Sequence, residues 1–167
     1  MQSSETLQLR PPRHQVSRRA ITWWTVRAVG SVVTVLIALG VALASWPFAR
    51  IGLLWPILGT VLLLGVGYVV VMPQWRFRVH RWEVTEDAVY TSAGWLSQEW
   101  RVAPMSRIQT VDTERGPLQQ LLGLSTVTVT TASVAGALQI AGLDHRLARD
   151  LVEQLTATTQ ATPGDAT

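Results

Sequence analysis

The chain has 167 residues and a net charge of +3 at pH 7, and all 14 of its basic residues are Arg. It contains no Cys, which excludes disulfides, thiolate metal sites and Cys nucleophiles. The charge is polarised: residues 1–27 hold five Arg against Glu5, while residues 73–167 hold eight Arg against ten acidic residues. The high pI therefore belongs to the N-terminal arm, and no nucleic-acid-binding surface on the folded part is implied.

Residues 1–20 read as a basic arm containing "RPPRHQVSRR". A hairpin of two membrane spans follows within residues 21–72. The first span, 28–46, holds no charge in 19 residues, and the second, 51–72, holds none in 22. At 1.5 Å per residue the first reaches roughly 28 Å, close to the hydrocarbon thickness of a bilayer. Neither has the polar face of a soluble helix. Within the first, Gly30, Thr34, Ala38 and Ala42 recur every four residues, either as a packing seam for the second span or a partner, or as chance in an Ala/Gly-rich segment. Pro56 falls in the first turns of the second span, where its cost is low. Neither span contains Asp, Glu, His, Asn or Gln, which argues against an ion or proton pathway.

Arg flanks the hairpin on one side, with Arg18 and Arg19 before it and Arg76, Arg78 and Arg81 after it, whereas the connecting loop holds Arg50 alone. Cytoplasmic flanks collect basic residues, so the expectation is a multi-pass protein of a bacterial plasma membrane with both termini cytoplasmic. Those five Arg are candidate contacts for the membrane surface. Trp23, Trp24 and Trp75 on that side, and Trp46 and Trp55 near the outer loop, are candidate interfacial anchors. The alternative is a signal peptide cleaved near "ALAS", but the apolar run is too long and a second span follows at once.

From residue 73 the texture changes to short alternating runs. "FRVHRWEVT", "AVYTSAGWL", "SQEWRVA", "RIQTVDTE", "STVTVTTA" and "GALQIAGL" read as strands. Val127 and Val129 share one face, as do Leu138 and Ile140. Helical spacing then sets in, with Asp144 as N-cap and Leu147, Ala148, Leu151, Val152 and Leu155 as an apolar stripe. The domain ends near residue 156, and the tail 157–167 reads as disordered. Between two strands, "RGPLQQLLGL" predicts one helical turn. Pro117 starts it, Gly116 and Gly123 serve as entry and exit, and Leu118, Leu121 and Leu122 are expected to point inward as a plug. Short strands in hairpin order followed by one amphipathic helix argue for an antiparallel sheet that curls on itself, with the helix over its open end.

The order "WEVT", "GWL", "VAPMSRIQTV", "RGPLQQLLGL", "VTVTTA" and the closing helix resembles the bacterial pleckstrin-homology-like domain family typified by YdbS, over about residues 70–156. The resemblance implies an α+β membrane protein: a two-helix transmembrane hairpin, then a PH-like antiparallel β-barrel or sandwich of two orthogonal sheets capped by a C-terminal helix. It also implies a related membrane protein as partner, and it implies no reaction.

The residues themselves offer little chemistry. His14 in the arm, His80 in the first strand and His145 on the last helix lie on separate elements, without metal-ligand spacing. No Gly-rich loop stands in phosphate-binding order, and Ser106 and Ser125 have no base nearby in sequence. No enzyme activity, cofactor, metal or small-molecule substrate is expected. The sharpest pair is Arg107 and Gln109, expected to share a strand face. They serve either a binding site or a structural role, with Arg107 pairing Asp112, Glu114 or Glu99. The PH domains that bind lipid headgroups use basic residues near the first strand pair, where this chain has Glu83, Glu86 and Asp87. The expected function is a membrane-anchored interaction module in an assembly with a related PH-like membrane protein or with itself. A sensor of anionic lipid surfaces and an accessory subunit of a membrane enzyme or transporter stand as alternatives.

Overall fold

The computed structural model describes residues 12–45, 52, 54–132 and 136–161. A two-residue strand β1 (His14–Gln15) leads into helix α1 (Arg19–Ala44), and helix α2 (Leu54–Val79) returns. Strands β2 (Arg81–Val84), β3 (Ala88–Gly94) and β4 (Gln98–Pro104) follow, then a 3-10 turn (Met105–Arg107) and β5 (Ile108–Glu114). Helix α3 (Pro117–Leu122), β6 (Leu124–Thr131), β7 (Leu138–Asp144) and helix α4 (His145–Ala161) complete the chain.

The strands form two antiparallel sheets, one in the order β1-β2-β3-β4 and the other β5-β6-β7. Their inner faces follow the period of two: Val127, Val129, Leu138 and Ile140 are all buried. Asp144 caps α4 as expected, its Oδ1 accepting the Arg146 backbone N–H at 3.0 Å. The stripe of α4 closes the core through Ala148, Leu151 and Leu155, with Val152 partly buried. Leu147 instead lies exposed, at the edge of the stripe. The helix also runs on to Ala161, into the segment expected to be disordered.

Both long helices are apolar and long enough to cross a membrane. Each also extends past the uncharged run into the sheet domain. Phe77 and Val79, expected to begin a strand, are the last turn of α2, closed by the His80 backbone N–H donating to the Arg76 carbonyl at 2.8 Å. Alternation of polar and apolar residues over so short a run does not separate strand from helix, and packing of Phe77 on the core decides for the helix.

The arm departs further from expectation. His14 and Gln15 pair with Trp82 and Arg81 as an edge strand of the first sheet, and Pro12 and Val16 are buried. The first turns of α1 join the same core: Ala20, Trp23, Trp24 and Ala28 are buried, Trp24 with 1 % of its surface exposed. The Ser17 backbone N–H donates to the Gly142 carbonyl at 3.0 Å. Gly142 has φ +84°, and a Cβ there would stand 2.7 Å from the Cβ of Ala20, so only Gly lets helix and strand approach this closely.

Candidate functional site

Several expected site residues are placed otherwise. Trp23 and Trp24 are core side chains rather than interfacial anchors. Trp55 and Trp75 are exposed, and Trp46 lies outside the described residues. Arg19 approaches Asp144, Nη1 to Oδ2 3.8 Å, and stands roughly 13 Å along α1 from where the uncharged run begins. Arg18 and Arg78 are exposed, and Arg81 is half-buried in β2. Gly30, Thr34, Ala38 and Ala42 face outward and do not form the seam with α2. That seam runs through Val32, whose Cγ1 fills the space a side chain at Gly65 would need.

Arg107 and Gln109 are both exposed, and they do not share a regular strand face. Arg107 ends the 3-10 turn, and Gln109 falls at a register break between Ile108 and Thr110. Among the described residues no carboxylate lies within ion-pair distance of Arg107; Glu99 pairs with Arg101 and Asp112 accepts from Thr110. The helical turn α3 also reverses the expected plug. Leu121 is 84 % exposed and Leu118 is exposed, while Leu122 is partly buried. The buried residue is Gln119, whose Oε1 accepts the Gly116 backbone N–H at 2.9 Å and whose Nε2 donates to Thr126 Oγ1 at 2.8 Å. At the exit Gly123 takes φ +65°, the left-handed cap position.

Folding brings together one pair that sequence distance hides. Ser125 Oγ lies 3.1 Å from His145 Nδ1. Ser125 is fully buried, so no substrate reaches its hydroxyl, and the contact ties β6 to the start of α4.

The group with the most chemistry lies where α2 meets the sheets. A cleft of about 200 Å³ is lined by Arg76 and His80 at the end of α2, Thr91 on β3, Glu99 and Arg101 on β4, and Gln139 on β7. Arg101 is held by its neighbours, Nη2 donating to Glu99 Oε1 at 2.9 Å and Nη1 to the Ala137 carbonyl at 2.8 Å. The Arg76 guanidinium stands 4.9 Å from the ring centre of Trp24, whose ring meets that of His80 edge-on at 5.4 Å. Burial, and then the charge of Arg76, push the His80 imidazole down to about 4, so it is neutral at neutral pH. Arg76 Nε, His80 Nδ1 and Trp24 Nε1 are buried without a hydrogen-bond partner among the described residues. Of these cleft residues only Arg76 stands out in the sequence, because the six come from four separate elements.

The helices, sheets and C-terminal helix stand in the order of a known family: the Bacterial PH domain family model matches residues 21–159. The chain belongs to the bacterial PH-domain family. The match takes in both long helices as well as the sheets, in keeping with their common core. Over 156 residues the chain is 32 % identical to the UPF0699 transmembrane protein YdbS of Bacillus subtilis (strain 168), an alignment covering 89 % of this chain and 95 % of that protein. No solved structure matches.

Proposed function

We propose that this bacterial PH-domain protein is a non-enzymatic interaction module mounted on the membrane, with both termini cytoplasmic, that assembles with a related PH-like membrane protein or with a second copy of itself. The observation that carries this reading is the common core of helices and sheets. Trp24, Ala20 and Ala28 of α1 pack into the domain, so its outer surfaces are held at one height and attitude to the membrane. A module held in this way meets partners in the same membrane without the entropy cost of orienting itself first. The outward face of α1, with Gly30, Thr34, Ala38 and Ala42, and the exposed Trp100 and Val102 of β4 supply surface for such a partner.

The chain has no Cys, so single-Cys variants test the reading directly. Ala38→Cys, oxidised in native membranes, is expected to give a cross-linked species, and gentle solubilisation is expected to recover an assembly. Isolated monomer in both experiments rejects the assembly. A membrane-impermeant maleimide applied to intact cells is expected to leave Arg146→Cys unlabelled; labelling there reverses the orientation.

A second reading, contact with anionic lipid, is favoured by Arg76, which stands about 6 Å along α2 from the end of the uncharged run with no carboxylate within ion-pair distance among the described residues.

A further inference from the structure

The cleft at the foot of α2 is incompletely balanced in charge. Glu99 is engaged by Arg101, and among the described residues no carboxylate lies within ion-pair distance of Arg76. Arg27 is near enough to Arg76 to add a second positive charge. A partly buried guanidinium without a counter-charge is unfavourable, and an anion beside it removes the penalty. His80, with 5 % of its surface exposed, lines the same cleft, and its Nδ1 is buried without a hydrogen-bond partner among the described residues. Thr91 and Gln139 add neutral hydrogen-bonding groups.

The β3–β4 turn fixes the depth of this cleft. Trp95 packs edge-on against Tyr68, ring centres 5.7 Å apart, and Tyr68 lies inside the uncharged run 51–72. The turn therefore stands beside a part of α2 that lies in lipid, and its next residue, Leu96, is 83 % exposed. An exposed Leu is unfavourable in water and favourable among acyl chains. Arg76 follows Tyr68 by eight residues, about 12 Å along the helix axis, which moves from inside the hydrocarbon into the headgroup layer.

We propose that the cleft is a phosphate site for an anionic phospholipid, whose phosphate lies against Arg76 and His80 and whose acyl chains run beside Tyr68 and Leu96. The apolar turn beside the cleft favours a lipid over free phosphate. The site lies at the opposite end of β3 from the turn that carries Glu86 and Asp87. It rests on the membrane mounting described above and not on the protein assembly.

The full chain in nanodiscs of phosphatidylcholine mixed with phosphatidylglycerol, released into mild detergent, provides the test, with retained lipid counted by native mass spectrometry. The wild-type chain is expected to keep phosphatidylglycerol in preference to phosphatidylcholine. Arg76→Gln is expected to lower that retention about tenfold or more, the loss of one charge-assisted contact. Arg146→Gln, exposed on α4 and away from the cleft, is expected to leave it unchanged. Arg76→Lys keeps the charge and loses the planar fork, so it gives an intermediate loss and carries the test if Arg76→Gln does not fold. Equal retention of the two lipids, or equal losses from Arg76→Gln and Arg146→Gln, overturns the site. Displacement of the lipid by millimolar inorganic phosphate overturns the lipid as its occupant. A chain that keeps its lipid but runs as a monomer defeats the assembly and leaves the site standing.

Discussion

Between residues 19 and 28, α1 is a core element of the sheet domain, with Ala20, Trp24 and Ala28 buried at every fourth position. Beyond residue 28 the same helix turns Val29, Val33, Val35, Ile37 and Val41 outward. Both halves are apolar, but they meet different surroundings. Protein neighbours impose a fixed volume and shape, so a missing atom leaves a cavity. Acyl chains are as apolar as the side chains they touch and close around any shape. The same residue type therefore carries structural information in one half of the helix and only solubility in lipid in the other.

Truncation separates the two halves most sharply. Trp24→Ala is expected to cost about 3–5 kcal/mol, whereas Val35→Ala is expected to stay within about 0.5 kcal/mol, read from unfolding of the detergent-solubilised chain. Comparable losses at the two positions would erase the distinction.

Proton uptake probes the buried half next. The unfolded His80 imidazole titrates near 6.5 and the folded one at about 4, so between these values the unfolded chain binds the extra proton. Stability is therefore complete above pH 6.5 and falls as pH drops toward 4, by up to about 3 kcal/mol. His80→Asn is expected to flatten this slope, and a slope that persists in the variant assigns the effect to other groups.

The contact between α1 and β7 gives a smaller effect. Gly142→Ala is expected to cost about 1–3 kcal/mol, from the positive φ and from the close approach of Ala20. Ala20→Gly in the same chain should return the part due to crowding and leave the part due to φ, and a double-mutant cycle without coupling would dissociate helix from strand.

The smallest contrast lies within α3. Gln119→Ala strands Thr126 Oγ1 and the Gly116 backbone N–H and is expected to cost about 1–2 kcal/mol, while Leu121→Ala is expected to stay within about 0.5 kcal/mol. A reversed order would restore the apolar plug that "QQLLGL" suggests.

The α3 contrast shows where the sequence misleads. An apolar Leu next to Gln invites the rule that Leu points inward, but six residues of helix have one buried side, and the hydrogen bonds available at Gly116 and Thr126 decide which residue takes it. Arg107 and Gln109 fail for a related reason, since a register break destroys the period of two on which their pairing depends. The cleft was hidden because Arg76, Thr91, Arg101 and Gln139 are far apart in the chain, and no spacing rule links them.

The sequence by itself determined the two apolar helices, the alternation of β6 and β7, the capped amphipathic α4 and the family, because each depends on neighbours within a few residues or on an ordered run of motifs. Tertiary structure alone decided that the arm is an edge strand, that Trp24 belongs to the core rather than the interface, and that Arg76 and His80 stand together in one cleft. These outcomes depend on which surfaces meet when the helices dock on the sheets, and a side chain's surroundings at that junction are set by residues more than a hundred positions away, as Gly142 is from Ala20.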